Sequence, residues 1–103
     1  LETAQIEKTS KGFIRVDASF RTSQPHIFAI GDLIDGPMLA HKASEEGVAV
    51  AELLAGLRPK VDYLSIPSVA YTYPEVASVG LTEEELKAKN IAYKVGKFPF
   101  KAN

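Results

Sequence analysis

One stretch of the chain brings together a carboxylate, a flexible backbone and the start of a helix. Asp32 follows Gly31 at the end of the unbroken apolar run Ile27-Phe28-Ala29-Ile30. Such a run fits a strand buried on both faces, expected over residues 27–31. In open α/β sheets, ligands bind beyond the carboxyl ends of strands. Gly36-Pro37 then breaks the chain, and Met38-Leu39-Ala40-His41 lead into a helix expected from about residue 39 to 55, with Gly56 as its C-cap glycine. The free N–H groups at a helix start carry roughly half a positive charge and favour an anion or a polar carbonyl. A carboxylate accepts from hydroxyls. Together the two suit a polyhydroxylated ligand with an electron-rich end. An Asp after a Gly also serves as a turn or capping residue, and spacing alone favours that simpler role.

The remaining chemical side chains are less pointed. His41 falls in the first turn of the expected helix, where a single His is more often a packing or surface residue. His26 follows Pro25 in a turn and has no metal-ligating neighbour. Glu45-Glu46 and Glu83-Glu84-Glu85 read as solvated helix faces, not as paired catalytic carboxylates. No GxGxxG, Walker A, GxSxG or HExxH string occurs. No catalytic residue is assigned.

The elements that must position Asp32 are short. Ser10-Lys11-Gly12 is a turn signal, followed by the alternating strand-like run Phe13-Ile14-Arg15-Val16-Asp17. Along the expected helix, Ala40, Ala43, Ser44, Gly47, Ala51 and Leu54 recur at helical spacing. A face that small admits close approach by a flat ligand or, equally, tight packing on a sheet. Leu57 to Asp62 reads as a connection and a boundary. Beyond it, Ser68 to Thr72 and Val76 to Val79 are strand-like around Tyr73-Pro74-Glu75. Thr82 and Glu85 form a capping box for a short helix ending near Lys89-Asn90. Ile91, Tyr93 and Val95 alternate as a further strand.

The chain has 103 residues, 46% hydrophobic and 24% charged, which suits a folded domain and not a disordered tract. Its net charge of −1 leaves no basic excess to neutralise phosphates, so no nucleic-acid partner is expected. No apolar run approaches the roughly 20 residues a membrane helix needs, so no membrane partner is expected either. Cysteine is absent, which excludes a thiolate zinc site and a cysteine nucleophile within these residues. The chain begins at Leu1, has Met38 as its one methionine and stops at Lys101-Ala102-Asn103. It is expected to be a piece of a longer protein.

Several of these strings together resemble a known family. Ile27 to Asp32, followed by Gly36-Pro37-Met38-Leu39-Ala40-His41-Lys42-Ala43 and Glu46-Gly47, resembles the second flavin-binding motif of the pyridine-nucleotide disulfide oxidoreductases, in their dihydrolipoamide dehydrogenase branch. Ile66 to Thr72, Pro74 to Ala77 and Val79-Gly80 are similar to the entry of that family's dimerisation domain, and Tyr93 to Phe100 continues the likeness. The Pro-Met-Leu-Ala-His run favours the lipoamide enzymes over glutathione or mercuric reductases.

The resemblance implies an α/β to α+β chain. Residues 1–63 would be the C-terminal part of a Rossmann-like FAD-binding domain, and residues 64–103 the beginning of a dimerisation domain. It implies that Asp32 hydrogen-bonds the ribityl chain of FAD. Met38, Leu39, Ala40 and His41 would lie beside the isoalloxazine, with backbone N–H groups facing its pyrimidine edge. A backbone contact from Val69 to NAD is a weaker implication, and Tyr73 has no assigned role. The family's first GxGxxG, its redox cysteines, its NAD domain and its His-Glu pair have no counterpart in these residues. The parent would oxidise dihydrolipoamide with NAD as a homodimer, serving 2-oxoacid dehydrogenase complexes in a bacterial cytoplasm or a mitochondrial matrix. The fragment alone is expected to be inactive. The alternatives are a fragment of another disulfide reductase of the family, or a non-enzymatic dimerisation module.

Overall fold

The structure is a computed structural model that describes residues 2–102. Helix α1 spans Ala40–Leu54, strand β1 Ser68–Ala70, strand β2 Val76–Ser78 and helix α2 Glu83–Ala88. Single 3-10 turns lie at Gly31–Leu33, Tyr63–Ser65 and Phe100–Ala102.

The first part folds as hairpin-like loops packed beneath α1. The turn at Ser10-Lys11-Gly12 forms, with Gly12 at φ +91° and its N–H on the Thr9 carbonyl at 3.0 Å. It sets Lys8 against Ile14 in an isolated antiparallel bridge. A second turn brings Phe28 opposite Arg21, whose guanidinium lies 4.8 Å from the Phe28 ring centroid. That geometry is a cation–π contact. The core is Ile14, Phe20, Ala29, Ile34 and Ala49, flanked by Val16, Ile30, Val50 and Leu53.

Two strand expectations are corrected here. Residues 27–30 are extended but form no strand. Ala29 N–H reaches the Phe20 carbonyl and Thr22 N–H the Ile27 carbonyl, so pairing with one neighbouring stretch ends as a bridge. Gly31, placed at the end of that strand by sequence, turns instead into 3-10 geometry at φ +67°. Phe13 to Asp17 likewise makes one bridge and no ladder.

Helix α1 falls within one residue of its expected bounds. It ends in a Schellman arrangement: Leu57 N–H bonds to the Glu52 carbonyl, Gly56 N–H bonds to the Leu53 carbonyl, and Gly56 adopts φ +82°. Its start carries no side-chain cap, and Leu39 stands at the N-cap position in extended geometry.

The second part is an antiparallel hairpin followed by α2. The register pairs Ser68 with Ser78, Val69 with Ala77 and Ala70 with Val76. The capping box forms as expected, with Thr82 and Glu85 exchanging side-chain and backbone hydrogen bonds. Ile91, Tyr93 and Val95 are corrected too: they pair with no strand among the described residues. Tyr93 instead donates its hydroxyl to the Glu83 carboxylate at 2.8 Å.

Every buried side chain among the described residues lies before residue 50. The radius of gyration is 17.5 Å over extents of 54 × 30 × 28 Å, against about 13 Å for a compact chain of this length. The second part therefore extends away from the core. No helix among the described residues is long and apolar enough to cross a membrane.

Candidate functional site

Asp32 lies in the 3-10 turn Gly31–Leu33, which packs against α1. Its side chain is exposed, and it engages no other side chain or backbone group among the described residues. Gly31 explains the close packing: a Cβ there would meet the Ala43 Cβ at 3.1 Å, and the positive φ disfavours a side chain in any case. Gly47 faces the same segment, its missing Cβ falling 3.5 Å from the Ile30 side chain. The small-residue face of α1 thus divides. Ala43 and Gly47 take the close approach, whereas Ala40, Ser44, Ala51 and Leu54 are exposed.

The segment Met38 to His41 forms the entry to α1. Met38 is 63% exposed, Leu39 is half-buried at the N-cap, and Ala40 opens the helix. No side chain caps this end, so the N–H groups of its first turn have no side-chain partner, while the Leu39 N–H bonds to the Pro37 carbonyl at 3.1 Å. His41 turns elsewhere: its Nε2–H donates to the Pro67 carbonyl at 2.7 Å, tying the first turn of α1 to the residue before β1. An open cleft of about 370 Å³ lies alongside, lined by His41, Glu45, Lys60, Asp62, Ser65 and Pro67 among others. His26 is exposed in its turn, and among the described residues no cluster of His, Cys, Asp and Glu is arranged to hold a metal.

The sequence reading missed the most buried polar group of the chain. Glu46, read as part of a solvated face, is 0% exposed, and Lys42 is 1% exposed. Their charged ends lie 3.1 Å apart. Glu46 accepts the Gly31 N–H at 2.7 Å and the Tyr63 hydroxyl at 2.9 Å, while Lys42 donates to the Gly31 carbonyl at 3.1 Å. Burial and the Glu46 carboxylate push the Tyr63 phenol up to about 12. A signal was present in the sequence. Lys42 and Glu46 head the same helical stripe as Ala49, Val50 and Leu53, which is the face that turns inward. Glu45, one residue away, is solvated as expected.

An exposed carboxylate on a turn packed against α1, together with the uncapped start of that helix, suits a polyhydroxylated ligand with an electron-rich end. Comparison with known proteins bears on this. The family model described as pyridine nucleotide-disulphide oxidoreductase matches residues 1–47, and that family's dimerisation-domain model matches residues 66–103. The chain belongs to the pyridine nucleotide-disulphide oxidoreductase family. Its sequence is 57% identical over its whole length to dihydrolipoyl dehydrogenase of Trypanosoma brucei brucei, covering 22% of that protein. It is 54% identical to the mitochondrial dihydrolipoyl dehydrogenase of Bos taurus, again over the whole chain and 20% of the relative. The chain therefore spans about a fifth of the length of these relatives. Among solved structures, LpdA from Mycobacterium tuberculosis superposes with a TM-score of 0.73 at 25% identity, over 84% of this chain and 19% of that one. Reduced CoADR-RHD of Bacillus anthracis gives 0.64 at 33% identity, over 90% and 19%.

Proposed function

We propose that these residues form one wall of an FAD site, and the opening of a dimer interface, in an enzyme that oxidises dihydrolipoamide with NAD. The observation that carries the reading is the unengaged Asp32 carboxylate on a turn packed against α1, whose start is uncapped. Whole-chain identity of 52–57% to dihydrolipoyl dehydrogenases from several organisms supports it.

Asp32 would accept hydrogen bonds from the hydroxyls of the ribityl chain. The backbone N–H groups at Met38, Ala40 and His41 would donate toward the pyrimidine edge of the isoalloxazine, where a helix N-terminus stabilises negative charge, whereas the Leu39 N–H is taken by the Pro37 carbonyl at 3.1 Å and would contribute through its place in the backbone. The flavin, when bound, supplies the electron relay between an enzyme dithiol and NAD. The side chains of Met38 and Ala40 matter less here than the backbone they carry. His41 holds the first turn of α1 through Pro67 and leaves its own amide to face the ligand. The domain boundary falls at about residue 63, with residues 64–103 beginning the interface of a homodimer. Association with 2-oxoacid dehydrogenase complexes, in a bacterial cytoplasm or a mitochondrial matrix, goes with the same reading.

The test is FAD retention in a full-length chain carrying this segment. Asp32→Ala removes a charged acceptor, a loss of roughly 1.5–3 kcal/mol, so FAD affinity falls by about tenfold or more. His26→Ala leaves it unchanged. Equal FAD content in Asp32→Ala and wild type would refute the assignment.

A further inference from the structure

Gly31 is the residue on which the candidate site turns, and both of its backbone polar groups are held from α1. Its N–H is taken by Glu46 and its carbonyl by Lys42, and these two side chains are the most completely buried among the described residues. Few arrangements need that. A glycine at positive φ has the widest conformational freedom of any residue, so its geometry must be imposed from outside. Hydrophobic packing does this poorly, because Gly31 offers no side chain to pack. Two charge-assisted hydrogen bonds from one helix do it directly.

The rest of the cluster serves the same end. Tyr63 donates to the second oxygen of Glu46, so that the carboxylate meets Gly31, Lys42 and Tyr63 at once. Gly36 passes over the Lys42 side chain so closely that a Cβ there would lie 3.2 Å from Cε. The loop from Gly31 to Gly36 is thus fastened at its start and crosses the same ammonium at its end. Asp32 follows the first clamp, and Met38 follows the second by two residues.

We propose that the buried Lys42–Glu46 pair is a positioning device. By holding both backbone groups of Gly31, it sets the Asp32 carboxylate relative to the start of α1. Lys42 and Glu46 are positioning residues, acting on the ligand only through Gly31 and Asp32. The inference rests on the FAD reading above and adds to it the groups that give the site its geometry.

Two charge-free replacements in the full-length chain separate positioning from bulk stability. Lys42→Met with Glu46→Leu fills the space and removes the acceptor for the Gly31 N–H. Lys42→Met with Glu46→Gln is matched in charge and size but keeps that acceptor. Apoprotein of each is titrated with FAD, and the visible circular dichroism of the bound flavin is recorded beside the thermal midpoint. Asp32→Ala is measured in the same series. The Leu double variant, which loses both holds on Gly31, is expected to bind FAD at least about tenfold more weakly with an altered flavin spectrum, and the Gln double variant, which loses only the Lys42 hold on the carbonyl, to fall between it and wild type. Combining the Leu double variant with Asp32→Ala adds little to the loss from Asp32→Ala alone.

Wild-type affinity in both doubles, or equal losses in both, overturns the positioning role. If Asp32→Ala weakens FAD while the Leu double variant does not, the clamp fails and the FAD reading stands. If Asp32→Ala itself binds FAD as wild type does, both fail. Should the Leu double variant not fold, Tyr63→Phe decides, since it removes a single oxygen from a half-exposed ring. The peptide carrying Gly31 and Asp32 then exchanges its amide hydrogens at least about threefold faster than in wild type, with α2 unchanged. Equal exchange overturns the proposal.

Discussion

Lys42 and Glu46 stand four residues apart on α1, a spacing that on most helices marks a pair sharing solvent. Here solvent is excluded, and beyond each other the pair meets Gly31 and Tyr63. Removing one member is far more costly than removing both. Glu46→Ala, which strands the Lys42 ammonium, is expected to cost about 3–5 kcal/mol, seen as a lowered denaturant midpoint in the full-length chain. Tyr63 adds a pH dependence. Its phenol is raised in the folded chain from an ordinary value of 10.0 to about 12. The unfolded chain then releases this proton first as the pH rises. The contribution is fully present below pH 10, is lost progressively as the pH rises through 12, and is modest because Tyr63 is 48% exposed. Tyr63→Phe removes this alkaline slope, which denaturation followed from pH 9 to 12 checks. The helical stripe shared with Ala49, Val50 and Leu53 hinted at the inward face, but not at the partners of Glu46. The decision between a solvated and a buried Glu46 depended on Gly31 and Tyr63, which lie 15 and 17 residues away.

At the level of elements, signals acting within a few residues carried through. The start and the glycine stop of α1, the hairpin strands flanking Tyr73-Pro74 and the capping box of α2 each depend on neighbours in sequence. Expected strands that needed a distant partner did not form. Ile27 to Ile30 has the composition of a buried strand, but among the described residues a single stretch pairs with it and none pairs with Ile91 to Val95. Helix α2 has six residues and no buried side chain, so its cap contributes a large share of its stability. Thr82→Ala is expected to cost this helix about 1 kcal/mol and to speed amide exchange across Glu83–Ala88 several-fold, with α1 unaffected. The Glu85 carboxyl is held below the usual range by the Thr82 backbone and hydroxyl. The cap therefore persists above the ordinary carboxylate pKa and weakens as the pH falls through the lowered value.

Across the whole molecule, apolar surface is distributed unevenly. Tyr71, Tyr73, Val76, Val79, Phe98 and Phe100 are all exposed in the second part, where soluble monomers rarely leave so much uncovered. The 103-residue chain by itself is expected to self-associate or to bind a hydrophobic dye. Light scattering and dye fluorescence check this, with monomeric, dye-silent behaviour as the contrary result. Mixed with FAD, NAD and dihydrolipoamide it is expected to form no NADH above a blank. The thiol–disulfide step needs two cysteines, and the sequence contains none. Family membership was legible from the strings around Gly31-Asp32 and Pro67-Ser68. The elongated shape was not, since it depends on how little the second part buries.

The hairpin of β1 and β2 also bears on the order in which the chain acquires structure. Its strands are joined by residues 71–75, and the α2 cap spans three positions, so both close very short loops. The clamp on Gly31 joins residues 15 apart and must wait for α1 to bring its side chains round. The second part closes by local contacts, yet a two-stranded ribbon is marginal in water. Among the described residues its outer edges are unpaired, and β1 and β2 stand as a template that another surface can extend.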